Sequence, residues 1–131
     1  MRKSGILNVE ICKEIAALGH TQYLVIADPG LPIPQNVPVI DLALVNGIPA
    51  FCDVLDAVAG ELVIDSFIFA SEMKDKNKEN MQYMLDRLQG IPCQDVSHEE
   101  FKKMTETAKC IIRTGECTSY ANVILEGGVS F

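Results

Sequence analysis

The sequence predicts an α/β fold whose largely parallel sheet is flanked by helices in Rossmann-like layers. Three observations carry this reading. Short apolar runs of strand length recur along the chain. Segments with helical apolar spacing fall between them, the pattern that connects parallel strands. The length of 131 residues suits one domain, and no internal repeat, low-complexity stretch or linker divides it, so residues 1–131 are read as a single domain.

The elements follow in order. Ile11, Ile15 and Leu18 lie at helical spacing, with Gly19 placed as a C-terminal cap. Tyr23-Leu24-Val25-Ile26-Ala27 reads as a buried strand that stops at the turn residues Asp28-Pro29-Gly30. Residues 31–38 contain Pro32, Pro34 and Pro38, so they form an ordered loop with little regular pairing. Residues 39–45 are a second strand candidate, interrupted by Asp41. Phe51, Val54, Leu55 and Val58 mark one face of a helix, and residues 62–70 read as a strand rich in β-branched and aromatic side chains.

The polar residues 74–80 lead into a helix carrying Met81, Met84, Leu85 and Leu88 on one face and ending near Gly90. Ser97-His98-Glu99-Glu100 has the spacing of a capping box and opens a helix with the stripe Phe101, Met104 and Ala108. Ile111-Ile112 and Val123-Ile124-Leu125 are the last strand candidates, separated by residues 113–120.

Composition narrows the function classes. A formal net charge of −7 opposes binding to nucleic acid or to an anionic membrane surface. It suits a neutral ligand such as a sugar. The basic start is soon broken by Asn8, Glu10, Lys13 and Glu14, which argues against a signal peptide, and no run approaches the roughly 20 apolar residues of a membrane span. Cys12, Cys52, Cys93, Cys110 and Cys117 are odd in number and lack Cys-x-x-Cys spacing. They read as reduced, mostly buried thiols of a cytoplasmic protein.

Few residues invite chemistry. His20 follows a helix and precedes a strand, and an imidazole with an ordinary pKa of roughly 6.5 suits acid–base work. By position alone a surface histidine beside a helix C-terminus has the better claim. Asp28 stands where the first strand ends, a favoured ligand position in open α/β sheets, yet Asp before Pro-Gly is also ordinary turn punctuation. His98 lies in the first turn of a helix, where unpaired N–H groups can meet a ligand oxygen, but by sequence alone a plain solvent-exposed residue is the favoured reading. Tyr120-Ala121-Asn122 offers a hydroxyl and an amide for a polyhydroxyl ligand, or a strand start whose side chains satisfy nearby backbone. Neither His-x-x-x-His nor Cys-x-x-Cys occurs, so no metal site is read, and no phosphate-binding glycine motif is present; Gly127-Gly128 is too little for one.

Several segments together resemble the D-ribose pyranase and L-fucose mutarotase family. They are Gly5-Ile6-Leu7-Asn8, Leu18-Gly19-His20-Thr21, Ile26 to Pro34, Ile40-Asp41-Leu42-Ala43-Leu44, His98-Glu99-Glu100-Phe101-Lys102, Ile112-Arg113-Thr114-Gly115-Glu116 and Tyr120-Ala121-Asn122. They run in order from end to end. The resemblance implies a cofactor-free isomerase that interconverts pyranose and furanose forms of D-ribose. It assigns His20 as proton donor and Asp28, His98, Tyr120, Ala121 and Asn122 as sugar-binding residues. Asp28 would accept a hydrogen bond from the sugar or act as the anion beside His20. The fucose branch is expected to carry arginine at the position of His98, which favours ribose. The family also implies a homodecamer with sites near subunit boundaries. Two departures stand out: relatives usually have Ala at position 29 and often Pro at position 119, where this chain has Pro29 and Ser119. Pro29 restricts Asp28 to extended backbone. The alternatives are a mutarotase for another sugar, such as L-fucose, and a non-catalytic sugar-binding accessory of a ribose transport system.

Overall fold

A computed structural model describes residues 1–131. The first helix, α1 (Val9–Ala17), begins at Asn8, whose side-chain oxygen accepts from the Ile11 N–H at 3.0 Å. That bond satisfies one of the donors a helix start leaves unpaired. The expected glycine cap is not what ends α1. Leu18 is extended, and the left-handed residue of the connection is Thr21, at φ 64°, rather than Gly19. The Gln22 side chain folds back to accept from the Gly19 N–H while the Gln22 N–H donates to the Gly19 carbonyl, so this reciprocal pair closes the turn in place of a helical cap.

Strand β1 (Tyr23–Ala27) lies where its apolar run predicts. Strand β2 (Val39–Asp41) is shorter than expected. Leu42 still donates to Arg113, after which the chain leaves the sheet edge and folds on itself through a bridge between Val45 and Ile48. Helix α2 (Phe51–Ala59) buries the expected stripe, and strand β3 (Ile64–Ala70) starts two residues later than predicted. The polar residues 74–80 are largely helical: α3 (Met73–Lys76) is one short turn, and α4 (Lys78–Arg87) restarts at Asn77, which caps it.

Strand β4 (Cys93–Val96) was not anticipated. It is an edge strand with mostly exposed side chains, so no apolar alternation announces it. Helix α5 (His98–Met104) ends before Ala108, which is buried beyond a short 3₁₀ turn. Ser97 accepts from the Glu100 N–H at 3.2 Å, the predicted half of the capping box. Strands β5 (Cys110–Arg113) and β6 (Val123–Gly127) complete the sheet.

The six strands run in the order β2-β5-β1-β6-β3-β4. Five point the same way and β6 alone is antiparallel to its neighbours β1 and β3. The sheet is therefore largely parallel and covered on both faces, as the continuous apolar runs require. Leu24, Ile26, Phe67, Phe69, Ile112 and Leu125 face one core with α1, α2 and α4. Val25, Ala27, Ile68, Ile111 and Ile124 face the other, with Phe101 of α5 and Leu31 and Val37 of the proline-containing loop. Leu24, Ile26 and Leu125 are wholly buried, and each contributes about 1.5–3 kcal/mol by leaving water.

The thiols depart from expectation. All five are free, but Cys93 and Cys117 are exposed, Cys12 and Cys52 are partly covered, and only Cys110, inside β5, is buried. Strand β4 and the loop after β5 lie outside the two cores, so their cysteines have no apolar layer to enter.

Candidate functional site

The parallel strands set two opposite edges of the sheet. At one edge end β1, β4 and β5, and the antiparallel β6 begins. Asp28 follows β1, His98 follows β4, and Tyr120-Ala121-Asn122 leads into β6, so topology brings these residues together from distant parts of the chain. Asp28, Gly30, Leu31, His98, Ser119 and Tyr120 line a cavity of about 210 Å³. It shares Asp28, Gly30 and Ser119 with a second, more open one of about 330 Å³ that reaches Glu116 and Thr118.

Asn122 is buried and holds Asp28 twice. Its amide oxygen accepts from the Asp28 backbone N–H at 2.8 Å, and its amide nitrogen donates to Asp28 Oδ2 at 3.0 Å. The Gly30 N–H donates to Oδ1 at 2.9 Å. Both carboxylate oxygens are thus fixed, while Asp28 remains partly open to the cavity. Arg113 donates to the Pro29 carbonyl and to Asp41, which ties the Asp28-Pro29-Gly30 turn to the strand ends beside it.

His98 is set by its neighbours. Its backbone N–H donates to both Glu72 carboxylate oxygens, at 3.1 and 3.0 Å. Its ring stacks on Phe101, with centroids 6.4 Å apart, and meets the edge of Tyr120 at 5.0 Å. The ring nitrogen Nδ1 is buried and has no hydrogen-bond partner. A buried polar atom without a partner is costly. Tyr120 has φ 59°, one of only two non-glycine residues in the left-handed region, the other being Thr21. Such backbone is unfavourable outside glycine and clusters at functional positions. Ala121 is fully buried and contributes packing under the site rather than a polar contact.

The loop leading to Tyr120 is braced from below. Thr118 Oγ1 accepts from Asn77 and Asn80 and donates to Glu116 Oε2, and Asn77 also donates to the Ser119 carbonyl. Glu116 Oε1 in turn accepts from the Phe51 N–H at the start of α2. No group of three His, Cys, Asp or Glu side chains is placed to hold a metal ion.

His20 is elsewhere. It precedes β1, at the opposite edge of the sheet from Asp28, and lines neither cavity. About 16 Å of strand separates the two positions. Asp28 is therefore not the anion beside His20 within one chain; that group is Asp65, whose Oδ2 lies 3.0 Å from His20 Nε2. The resemblance thus brought together residues that the fold groups as Asp28, His98, Tyr120 and Asn122, with His20 apart. Asp65, Glu72 and the brace on Thr118 were not anticipated. Asp65 carried one local signal, a carboxylate interrupting the start of an apolar strand; Glu72 carried none.

The RbsD / FucU transport protein family matches residues 1–130. A D-ribose pyranase of Geobacillus kaustophilus is 54% identical over 131 residues, covering 100% of this chain and 96% of the relative. The D-ribose pyranase of Bacillus subtilis is 47% identical over the full length of both. The solved structure of Bacillus subtilis RbsD complexed with D-ribose superposes with a TM-score of 0.97, at 47% identity and complete coverage of both chains. The fucose mutarotase of Streptococcus pneumoniae, solved with L-fucose, shares the fold at a TM-score of 0.76, with 22% identity and 95% of each chain covered. This chain belongs to the RbsD / FucU family.

Proposed function

We propose that this member of the family is an isomerase that interconverts the pyranose and furanose forms of D-ribose. The observation that carries the reading is the meeting of His98, Tyr120 and the fixed carboxylate of Asp28 around one small cavity. A polyhydroxyl ring offers donors and acceptors that match the carboxylate, imidazole and phenol groups lining it. The name shared by relatives of about half identical sequence supplies the sugar and the ring chemistry. Histidine at position 98 favours ribose over fucose.

Ring opening needs a proton on the ring oxygen and loss of one from the anomeric hydroxyl. His20, as imidazolium, donates to the ring oxygen as the C–O bond breaks, and the anomeric O–H gives its proton to water as the carbonyl forms. Rotation then lets a different hydroxyl attack the aldehyde carbon; its proton passes to the neutral His20, and the carbonyl oxygen takes a proton from water as the new ring closes. Asp28, His98, Tyr120 and Asn122 hold the open chain by its remaining hydroxyls, Asn122 through the carboxylate it orients. Ala121 shapes the floor. Opening and closure are proton transfers alone, so the reading calls for no cofactor. Positioned acid–base catalysis supplies about 10²–10⁴-fold, enough for a reaction that already proceeds in water.

His20 and Asp28 reach one sugar only if different copies provide them. We therefore place the complete site between neighbouring subunits of a homo-oligomer, a homodecamer by family resemblance. Exposed Leu7, Val9, Leu44, Val45, Ile48 and Phe131 supply apolar surface for such contacts. No helix is long and apolar enough to cross a membrane. The five free cysteines support a cytoplasmic location.

The deciding experiment is NMR saturation transfer between ribose ring forms, with purified protein and with its His20→Ala variant. Wild type should raise the exchange rate well above the spontaneous one and the variant should not. No enhancement by wild type, with ribose still bound, would point to the binding accessory instead. Faster exchange of L-fucose than of ribose would reassign the substrate.

A further inference from the structure

Tyr120 stands in left-handed backbone at φ 59°, which a residue with a bulky side chain adopts only where its surroundings impose it. Both peptide groups that flank it are tied down. After it, the Tyr120 carbonyl accepts from the Asn122 N–H at 2.8 Å. Before it, the Ser119 carbonyl accepts from Asn77 Nδ2, also at 2.8 Å, across 42 residues of sequence. The first contact sets ψ of Tyr120 and the second its φ, so together they fix the direction in which the side chain leaves the backbone. Its ring then meets His98 edge-on at 5.0 Å and walls the cavity.

Asn77 is buried, and both polar atoms of its side chain are engaged. Nδ2 donates to the Ser119 carbonyl and to Thr118 Oγ1, each at 2.8 Å, and Oδ1 accepts from the Asn80 N–H at 3.4 Å to start α4. Starting a helix needs only the acceptor, which serine or aspartate supplies as well. The two amide donors have no part in that cap, and a carboxylate of the same size has neither. Thr118 is saturated by them: its hydroxyl accepts from Asn77 and Asn80 and donates to Glu116, so both lone pairs and its proton are used. The Glu116 N–H donates to the Thr114 hydroxyl, and Thr114 donates through N–H and hydroxyl to the Ala27 carbonyl, immediately before Asp28. One network therefore joins the two arms of the cavity, and Asn77 is the member that reaches the peptide group of Tyr120.

We infer that Asn77 is the positioning residue for Tyr120: by holding the Ser119 carbonyl it sets the wall that the Tyr120 ring presents to the sugar. The inference rests on the proposed role of Tyr120 in ribose binding. Asn77 lines neither cavity, so its influence reaches a ligand only through the loop it holds. Loss of its donors frees the Ser119–Tyr120 peptide group, and the ring then samples directions that do not meet the sugar. Ordering it again on binding costs affinity. The proton transfers are made by other groups, so the rate at saturating ribose is little affected.

The test compares Asn77→Asp and Asn77→Ser with wild type as intact assemblies, reading ribose exchange by saturation transfer and tyrosine ring motion by ¹³C relaxation. Both variants keep an acceptor to start α4 and lack the amide donors. The half-saturating ribose concentration should rise about tenfold, with exchange at saturating ribose within about threefold of wild type. The Tyr120 ring should become mobile, while Tyr83, which α4 itself carries, keeps its order. If Asn77→Asp does not fold, Asn77→Ser carries the comparison. Wild-type half-saturation in the folded variants, or a Tyr120 ring as ordered there as in wild type, would overturn the inference. A double variant tests the route: with Tyr120→Ala already present, Asn77→Asp should change the half-saturating concentration by less than about twofold. A further tenfold loss there would mean that Asn77 acts by another path, and would also overturn it. Tyr120→Ala alone separates the two levels, since unchanged half-saturation in that variant refutes the binding role of Tyr120 itself.

Discussion

His20 and Asp28 lie at opposite ends of strand β1, His20 before Tyr23 and Asp28 directly after Ala27. A ribose ring is far smaller than the about 16 Å of strand between them, so one chain cannot apply both to one sugar.

Two inactive variants should therefore complement each other. His20→Ala and Asp28→Asn, unfolded and reassembled together, form some sites with an intact His20 from one copy and an intact Asp28 from another. Random mixing restores about a quarter of wild-type exchange if each site draws on two copies. Exchange no greater than the sum of the separately assembled variants would place both residues in one chain's site.

Asn122 joins β6 to the end of β1 through two hydrogen bonds to Asp28, across 94 residues of sequence. Asn122→Ala leaves the Asp28 N–H without its partner and frees one carboxylate oxygen. The expected cost is about 1–3 kcal/mol in stability, read by urea unfolding. Ribose affinity should fall as well, since the carboxylate loses its aim; calorimetric titration at a temperature where the variant is folded checks this.

Ser119 departs from the proline expected in relatives. Its carbonyl accepts from Asn77, but its N–H appears in no backbone hydrogen bond. Ser119→Pro thus sacrifices no donor and restricts the unfolded chain. It should stabilise the protein by about 0.4–1 kcal/mol and raise the melting temperature by a few degrees, with ribose exchange little changed. A lower melting temperature would mean that the backbone at Ser119 does not accept a proline ring.

The thiols predict alkaline behaviour. Burial, followed by the carboxylates of Glu116, Asp56, Asp53 and Glu79, pushes Cys52 up from 9.0 to about 11. Burial, followed by Glu14, pushes Cys110 up from 9.0 to about 12. The folded state holds these protons more tightly than the unfolded chain does. Their contribution to stability is complete below about 9 and is lost as pH rises through 11 to 12. The melting temperature should decline across that window, less steeply in Cys110→Ala. At pH 8, mass spectrometry after brief alkylation should find Cys93 and Cys117 modified and Cys110 untouched.

The sequence by itself determined the elements whose periodicity is local and strong. β1 was legible because five apolar residues end at Asp-Pro-Gly, and α2 because Phe51, Val54, Leu55 and Val58 share one face. The start of α5 was legible in Ser97 and Glu100. The ordered family segments also named His20, Asp28, His98, Tyr120 and Asn122. Only the tertiary structure decided how these are grouped. Strand direction is set by pairing, so the reversal of β6, which brings Asn122 to Asp28, has no local signature. The same reversal carries Gly127-Gly128 to the far edge, beside His20 and Asp65. β4 stayed hidden because an exposed edge strand owes its place to hydrogen bonds with β3 rather than to burial. Periodicity records which side of an element meets the core; it does not record which ends of distant elements meet each other, and those meetings group the candidate residues.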